Sequence, residues 1–97
     1  MSETVDDLTV AYTEGDLETV KELDKKVLSK GAWATLIFKY QSWDSGKETY
    51  TAPKYSIRRY QKRNGVYQAK SKFNISSNDQ AQKIIEALTD WVAEDSQ

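Results

Sequence analysis

The side chains that could take part in recognition are concentrated in the middle of the chain. Residues 25–75 carry twelve lysines and arginines against two acids, a net charge of +10. The same stretch holds nine of the chain's eleven aromatic residues. Positive charge binds a phosphate backbone, and flat rings stack on unpaired bases. The combination indicates a surface for single-stranded nucleic acid.

Both ends of the chain carry the opposite charge. Residues 1–24 have a net charge of −7 and residues 76–97 a net charge of −4, so the whole-chain charge of −1 conceals the basic middle. Residues 1–18 are also poor in large apolar side chains. We therefore predict an acidic flexible tail over residues 1–18 and one domain over residues 19–94 that binds single-stranded nucleic acid. A tail of this charge that folds over the basic region would compete there with nucleic acid.

Several chemistries are excluded by residue types that the chain lacks. It contains no Cys and no His, which excludes disulfides, zinc sites built on those ligands, and Ser-His or Cys-His nucleophile pairs. Its acids are not paired for general acid and base work, and Gly31, Gly46 and Gly65 are isolated rather than part of a phosphate-binding loop. We predict a protein that is not an enzyme and needs no cofactor or metal.

The apolar pattern gives an expectation of location. The sequence has no apolar run approaching the roughly 18 residues that would span a membrane. Its first residues lack the basic and apolar regions of a signal peptide. We expect a cytoplasmic protein with no membrane association.

Four segments have the character of strands. Residues 32–43 are rich in aromatic and β-branched residues, and residues 54–62 and 66–75 alternate basic or polar with apolar side chains. Residues 20–29 fit both a strand and a helix by their spacing, and we predict a strand. Asn64–Gly65 separates the last two segments and predicts a type I′ hairpin turn, because both residues tolerate positive φ.

The sequence period changes after residue 76. Ser77 and Gln80 fit a capping box, and apolar residues follow at helical spacing, which predicts a helix over residues 77–93. The order of elements indicates an α+β fold, a four-stranded curved antiparallel sheet followed by one C-terminal α-helix. The apolar stripe is broad enough to contact a second subunit, so we predict a homodimer with four stripe residues at its interface. These are Ile85, Leu88, Trp91 and Val92.

Side-chain alternation assigns the residues of each strand to a face. In residues 32–43, the face with Leu36 and Phe38 is the more apolar and is predicted to cover the core. In residues 54–62 the even-numbered face is predicted to point outward and the odd-numbered face, which includes Arg59, inward. In residues 66–75 the residues 67, 69, 71, 73 and 75 are predicted to share one face and the two lysines the other. Because paired strands share faces, the outward residues of both segments are predicted to form one surface, which includes Arg58, Tyr60, Lys70 and Lys72. The predicted nucleic-acid-binding residues combine these basic positions with the second face of residues 32–43. They are Trp33, Lys39, Trp43, Lys54, Arg58, Tyr60, Lys70 and Lys72.

Short motifs and the order of the elements resemble a known family. Residues 57–60 read Ile-Arg-Arg-Tyr, and after the Asn-Gly turn residues 70–76 read Lys-Ser-Lys-Phe-Asn-Ile-Ser before the helix. Residues 42–44 (Ser-Trp-Asp) and 53–55 (Pro-Lys-Tyr) are similar to the bacterial branch of the family. Over residues 20–93 the chain resembles the single-strand-binding domain of transcriptional coactivator positive cofactor 4 and its small bacterial relatives.

The resemblance implies a homodimer joined through its C-terminal helices and sheets. It also implies that single-stranded DNA runs over the exposed sheet faces with little sequence preference, in transcription, replication or repair. By position, Arg58 and Lys72 would hold phosphates, and Tyr60, Trp33 or Trp43 would contact bases. The family's Ser-rich regulatory tail is replaced here by an acidic one, which argues against coactivator-style regulation.

Two other functions would use the same surface. RNA would bind the same charges and rings, because composition does not reveal contacts to the 2′-hydroxyl. A protein-interaction module would dock an acidic partner on the basic sheet. The coincidence of rings with positive charge favours single-stranded DNA.

Overall fold

The computed structural model describes residues 4–95, which form six strands, one α-helix and a short 3-10 turn. The elements are the turn Val5–Asp7, β1 (Tyr12–Glu14), β2 (Leu17–Ser29), β3 (Trp33–Asp44), β4 (Thr49–Tyr50), β5 (Lys54–Arg63), β6 (Val66–Ile75) and α1 (Asn78–Asp95). All strand pairs are antiparallel, in the order β1-β2-β3-β5-β6, and β4 pairs with β3. The α+β prediction is confirmed. Neither helical element in this range has the length and apolar character needed to cross a membrane.

The prediction of a four-stranded sheet is wrong, because β1 and β4 add two strands. They contain only three and two residues, which is too short for alternation to be recognised in a sequence. β1 lies in the segment predicted as a tail, and its Tyr12 is the partner of Val20 on β2. β4 lies in the loop after β3, where Tyr50 is the partner of Trp43.

The two strongest local predictions are confirmed. Asn64 and Gly65 have φ angles of 53° and 79°, as a type I′ turn requires. At the start of α1, Ser77 Oγ accepts a hydrogen bond from the Gln80 backbone N–H at 3.1 Å. The Gln80 side chain in turn accepts one from the Ser76 backbone N–H at 3.1 Å. These bonds satisfy amide groups that the helix itself cannot.

One face of the sheet, which we call the core face, carries Ala34, Leu36 and Phe38. All three are completely buried, which confirms their predicted place in the core. Pairing of β3 with β5 sets Leu36 opposite Arg58 and Phe38 opposite Ser56. Because directly paired residues share a face, the even-numbered residues of β5 also belong to the core face.

This register corrects the prediction that the even-numbered face of β5 points outward. Ser56 is completely buried and Tyr60 is only 6% exposed, while Lys54 and Arg58 are half-buried. The odd-numbered residues Tyr55 and Ile57 lie on the opposite face of the sheet. We predicted that this odd-numbered face alone would point inward. Both sides of this sheet are covered, so the apolar character of one side does not make the other a free surface.

The N-terminal segment covers the core face. Leu8 and Val10 are buried at 5% and 7% exposure and belong to the core cluster. Val5 packs against the same cluster. Within the segment that we predicted as a flexible tail, the structure therefore places Val5, Leu8 and Val10 against the core, because the apolar core face needs a cover and these side chains supply it. We call residues 4–11 the strap; residues 1–3 lie outside the described residues.

Helix α1 lies over part of the opposite face, which we call the helix face. Ile37, Ile57 and Ile75 line a groove of about 450 Å³ together with Ile84 and Leu88 of the helix. None of the residues of α1 is buried. The predicted interface residues are among the most exposed large apolar side chains of the chain. Ile85 is 54% exposed, Leu88 52%, Trp91 61% and Val92 60%.

A bulge divides β6 into two registers. Tyr60 of β5 is the partner of Ala69, whereas Arg59 is the partner of Ser71, so Lys70 is the extra residue. Because an extra residue reverses the alternation, Ala69 lies on the core face but Ser71 lies on the helix face. The prediction that residues 67, 69, 71, 73 and 75 share one face is therefore wrong at the bulge.

Removing the Tyr67 hydroxyl is expected to lower the free energy of unfolding by about 1 kcal/mol. Tyr67 is 7% exposed, and its hydroxyl donates a hydrogen bond of 2.8 Å to the Gly31 carbonyl. Tyr67→Phe leaves that carbonyl without this donor. Urea denaturation measures the change, and Tyr12→Phe, at a tyrosine that is 58% exposed, is the control that should differ little from the unmodified protein. Equal losses in both variants would contradict the role of this bond.

Candidate nucleic-acid interface

The structure brings three of the predicted basic residues together on the core face. Arg58 of β5 and Lys72 of β6 are direct partners. Lys54 lies on the same face of β5, four residues before Arg58. We call Lys54, Arg58 and Lys72 the basic strip. Lys72 is exposed and the other two are half-buried, so the three charges are accessible along one side of the β5–β6 hairpin.

A buried hydroxyl orients the central charge of the basic strip. Arg58 Nε donates a hydrogen bond of 3.2 Å to Ser56 Oγ, and Ser56 Oγ donates one of 2.7 Å to Asn74 Oδ1. Ser56 is completely buried, so this connection rests on a fixed part of the core. A guanidinium has five N–H donors in one plane. One of them bonds to Ser56 Oγ, and the guanidinium also forms a hydrogen bond with the Tyr60 hydroxyl. The remaining N–H groups can form bonds to phosphate oxygens.

Tyr60 and Tyr67 form an aromatic patch beside the basic strip, which we call the ring floor. Both belong to the core cluster that includes Leu8 and Val10 of the strap. Burial raises the pKa of Tyr60, although the nearby Arg58 guanidinium acts to lower it. Tyr60 therefore keeps its proton at neutral pH. The strap covers the ring that we predicted to stack on a base.

Trp33 does not join this surface. It pairs with Gln61 and lies on the helix face, where it is 42% exposed. The Arg59 guanidinium carbon lies 4.6 Å from the centre of its ring, a cation–π contact. Arg59 therefore lies exposed on the helix face, with Trp33 as its aromatic partner. Trp33 and Arg58 are on opposite faces and cannot form one continuous platform.

Lys39, Trp43 and Lys70 are also separated from the basic strip. Lys39 is exposed and pairs with Tyr55 on the helix face. Lys70 is exposed at the β6 bulge. Trp43 is half-buried and packs edge-on against Tyr50, with ring centres 5.2 Å apart and planes at 75°.

The Trp43–Tyr50 pair is fixed by further contacts. The Tyr50 hydroxyl donates a hydrogen bond of 2.7 Å to the Glu18 carbonyl. Lys21 Nζ lies 4.6 Å from the centre of the Tyr50 ring. These contacts join β4 to β2 and β3, so Trp43 has a packing role in this arrangement.

Sequence reasoning missed three residues that shape the site. Ser56 and Asn74 orient Arg58, and Lys25 donates hydrogen bonds to the strap. Ser56 and Asn74 are partners only because of the bulge in β6. Side-chain alternation in the sequence does not reveal that bulge, so this pair could not be predicted. Lys25 carried no signal, because one lysine among twelve basic residues of the middle region does not stand out.

No protein-family profile, curated protein or solved structure matches this chain.

Proposed function

We propose that this protein binds single-stranded DNA through the basic strip, without catalysis and with little sequence preference, as a member of the positive cofactor 4-like group that its motifs resemble. The observation that carries the proposal is the Arg58 guanidinium, which Ser56 holds beside its cross-strand partner Lys72. Contacts to phosphates fix position and carry no direct sequence information. A role in transcription, replication or repair follows from the same proposal.

The preference for single strands rests on the ring floor. Phosphate contacts alone do not separate single strands from duplex, whereas stacking requires unpaired bases. Tyr60 lies on the core face two positions from Arg58, and Tyr67 lies on the same face further along the hairpin. A strand whose phosphates follow Lys54, Arg58 and Lys72 would place its bases towards these rings.

Fluorescence anisotropy of a labelled thymidine oligonucleotide tests the proposal. Three phosphate contacts give an expected slope of about −2 in a plot of log affinity against log salt, since each contributes about −0.7 for single strands. Unlabelled duplex should compete poorly. Equal competition by duplex, or affinity that does not depend on salt, would refute the proposal. Tighter binding of a uridine oligonucleotide would reassign the surface to RNA, and binding only to acidic proteins would make it a protein-docking surface.

We propose further that the protein acts as a homodimer through α1. Among the described residues, four large apolar side chains of this helix are at least 52% exposed, and Phe73 on the adjoining face is 53% exposed. Leu28 of β2, which is 57% exposed, lines the same groove as Ile85 and Leu88. An apolar surface that continues from helix to sheet is typical of an interface between copies. A second copy of the chain carries the matching surface, which is the requirement of a two-fold dimer.

A further inference from the structure

The strap covers aromatic rings that adjoin the basic strip. Leu8 and Val10 belong to the same buried cluster as Tyr60 and Tyr67. The two rings retain 6% and 7% of their exposure. On the same face, Lys72 of the basic strip is exposed. The strap therefore occupies the ring floor and leaves neighbouring charge accessible.

A small number of polar contacts hold the strap on the sheet. Lys25 Nζ donates hydrogen bonds to three backbone carbonyls of the strap, at 2.7, 2.7 and 3.3 Å. Thr9 Oγ1 donates one of 2.6 Å to Glu22 Oε1. Lys25 is half-buried on the core face, since it pairs with Phe38. One ammonium group thus bonds to the carbonyls of Val5, Asp6 and Leu8, and substitution of Lys25 alone removes all three hydrogen bonds.

The strap has the charge of the ligand that we propose for the surface. It contains Asp6 and Asp7 and has no basic residue. Asp6 lines an open cleft with Lys30, Lys62 and Tyr67. An acid of the strap therefore shares this cleft with two lysines and a ring, the groups that a nucleotide would use. A polyanion on the core face would repel these acids and compete for the same positions.

We propose that the strap is an autoinhibitory occupant of the ring floor, which single-stranded DNA displaces. In the closed state the protein offers phosphate contacts only. When the strap leaves, Tyr60 and Tyr67 become available to stack on bases, and Asp6 leaves the cleft that it shares with Lys30 and Lys62. The apparent affinity is then the affinity of the open state multiplied by the fraction of molecules that are open. This inference rests on the proposed function and adds its regulation.

Lys25→Met tests the displacement against simple electrostatics. Loss of a positive charge near a polyanion site weakens binding if the charge only attracts phosphate. Displacement predicts the opposite, about a threefold to tenfold gain in affinity for a thymidine oligonucleotide, because more molecules are open. Lys26→Met is the matched control. Lys26 is the next residue and pairs with Ile37 on the helix face, so its loss should leave affinity unchanged or slightly lower.

A crosslink supplies the converse test. The chain has no cysteine, so Thr9→Cys and Glu22→Cys introduce the only two thiols, at side chains that contact each other. Joining them with a short cleavable bis-maleimide holds the strap closed. We expect the affinity for thymidine oligonucleotide to fall about tenfold and to recover when the linker is cleaved. Thermal unfolding monitored by circular dichroism establishes that each variant is folded.

The outcomes separate the two proposals. If neither the unmodified protein nor Lys25→Met binds the oligonucleotide, the proposed function fails and the strap proposal fails with it. If the unmodified protein binds but the crosslinked protein binds equally well, the strap proposal alone is overturned. Weaker binding by Lys25→Met overturns it as well when the crosslink has no effect. Tighter binding by Lys25→Met, together with weaker and reversible binding by the crosslinked protein, supports it.

Discussion

The Arg58→Ala variant is expected to bind every single-stranded sequence about tenfold to a hundredfold more weakly than the unmodified protein, because a hydrogen bond to a charged group contributes about 1.5–3 kcal/mol. Arg58 is the arginine of the basic strip, and its 3.2 Å hydrogen bond to Ser56 orients its guanidinium. Because the Arg58 guanidinium is already oriented, binding of a phosphate has a smaller entropic cost. Anisotropy titrations with thymidine, cytidine and mixed oligonucleotides measure the loss, which should be the same for all three.

The neighbouring arginine supplies a matched control for this variant. Arg59→Ala removes the same side chain from the next position, which lies on the helix face against Trp33. Its affinity should stay within about twofold of the unmodified protein, as expected for an exposed charge away from the site. Arg58→Ala should also reduce the salt slope by about 0.7. Arg58→Lys should keep the slope and lose part of the affinity, because lysine replaces the charge but not the planar pair of donors. An equal loss in Arg58→Ala and Arg59→Ala would show that only total charge matters.

The elements that local chemistry determines could be predicted from the sequence. The Asn64–Gly65 turn depends on two residues that accept positive φ, and both adopt it. The start of α1 depends on Ser77 and Gln80. Ser77 Oγ accepts a hydrogen bond from the Gln80 backbone N–H, and the Gln80 side chain accepts one from the Ser76 backbone N–H. The alternation of Ala34, Leu36 and Phe38 identified the buried face of β3. In each case the signal lies within a few residues of the structure that it determines.

The faces of β5 could not be predicted in the same way. A strand that is covered on both sides has no single inner face, and alternation then reports only a difference in polarity. Ser56 illustrates the problem, because it stands between Lys54 and Arg58 and yet is completely buried. The cover of this face includes Leu8 and Val10, which pack with Leu36, Phe38 and Tyr60 and lie far away in the sequence, in a segment whose acidic composition suggested a tail. The cover of a sheet is a tertiary feature, and composition did not reveal it.

The bulge in β6 shows how one inserted residue changes a site. A two-residue hairpin pairs Arg63 with Val66, and this register continues to Tyr60 and Ala69. Without the bulge, Arg58 would be opposite Ser71. The extra residue Lys70 instead brings Lys72 opposite Arg58. Arg58 and Lys72 are therefore neighbours, as predicted, but the bulge that makes them neighbours was not predicted.

The apolar surface of α1 connects the stability of the chain to its assembly. A chain of 97 residues buries a smaller share of its surface than a large domain does, and such domains commonly gain stability from oligomerisation. In this chain the main core cluster lies on the core face of the sheet, whereas no residue of the helix is buried. The helix stripe, Phe73 and Leu28 together form the surface that a second copy would bury. Dimer formation would complete the covering of the helix face.

Leu88→Lys is therefore expected to convert the proposed dimer to a monomer, with a rise of at least about 100-fold in the dissociation constant, because an unpaired charge would be buried at the centre of the stripe. Analytical ultracentrifugation over a range of concentrations measures it. Glu86→Lys is the control, since residue 86 lies about half a turn away on the opposite side of the helix and is exposed. In the unmodified chain Leu88 is 52% exposed, so the isolated monomer loses little by accepting lysine. A variant that stays dimeric, or an unmodified protein that is monomeric at every concentration, would contradict the proposed interface. Oligonucleotide binding by the monomeric variant then measures how much affinity comes from two basic strips in one assembly, because linked sites bind more tightly than either site alone.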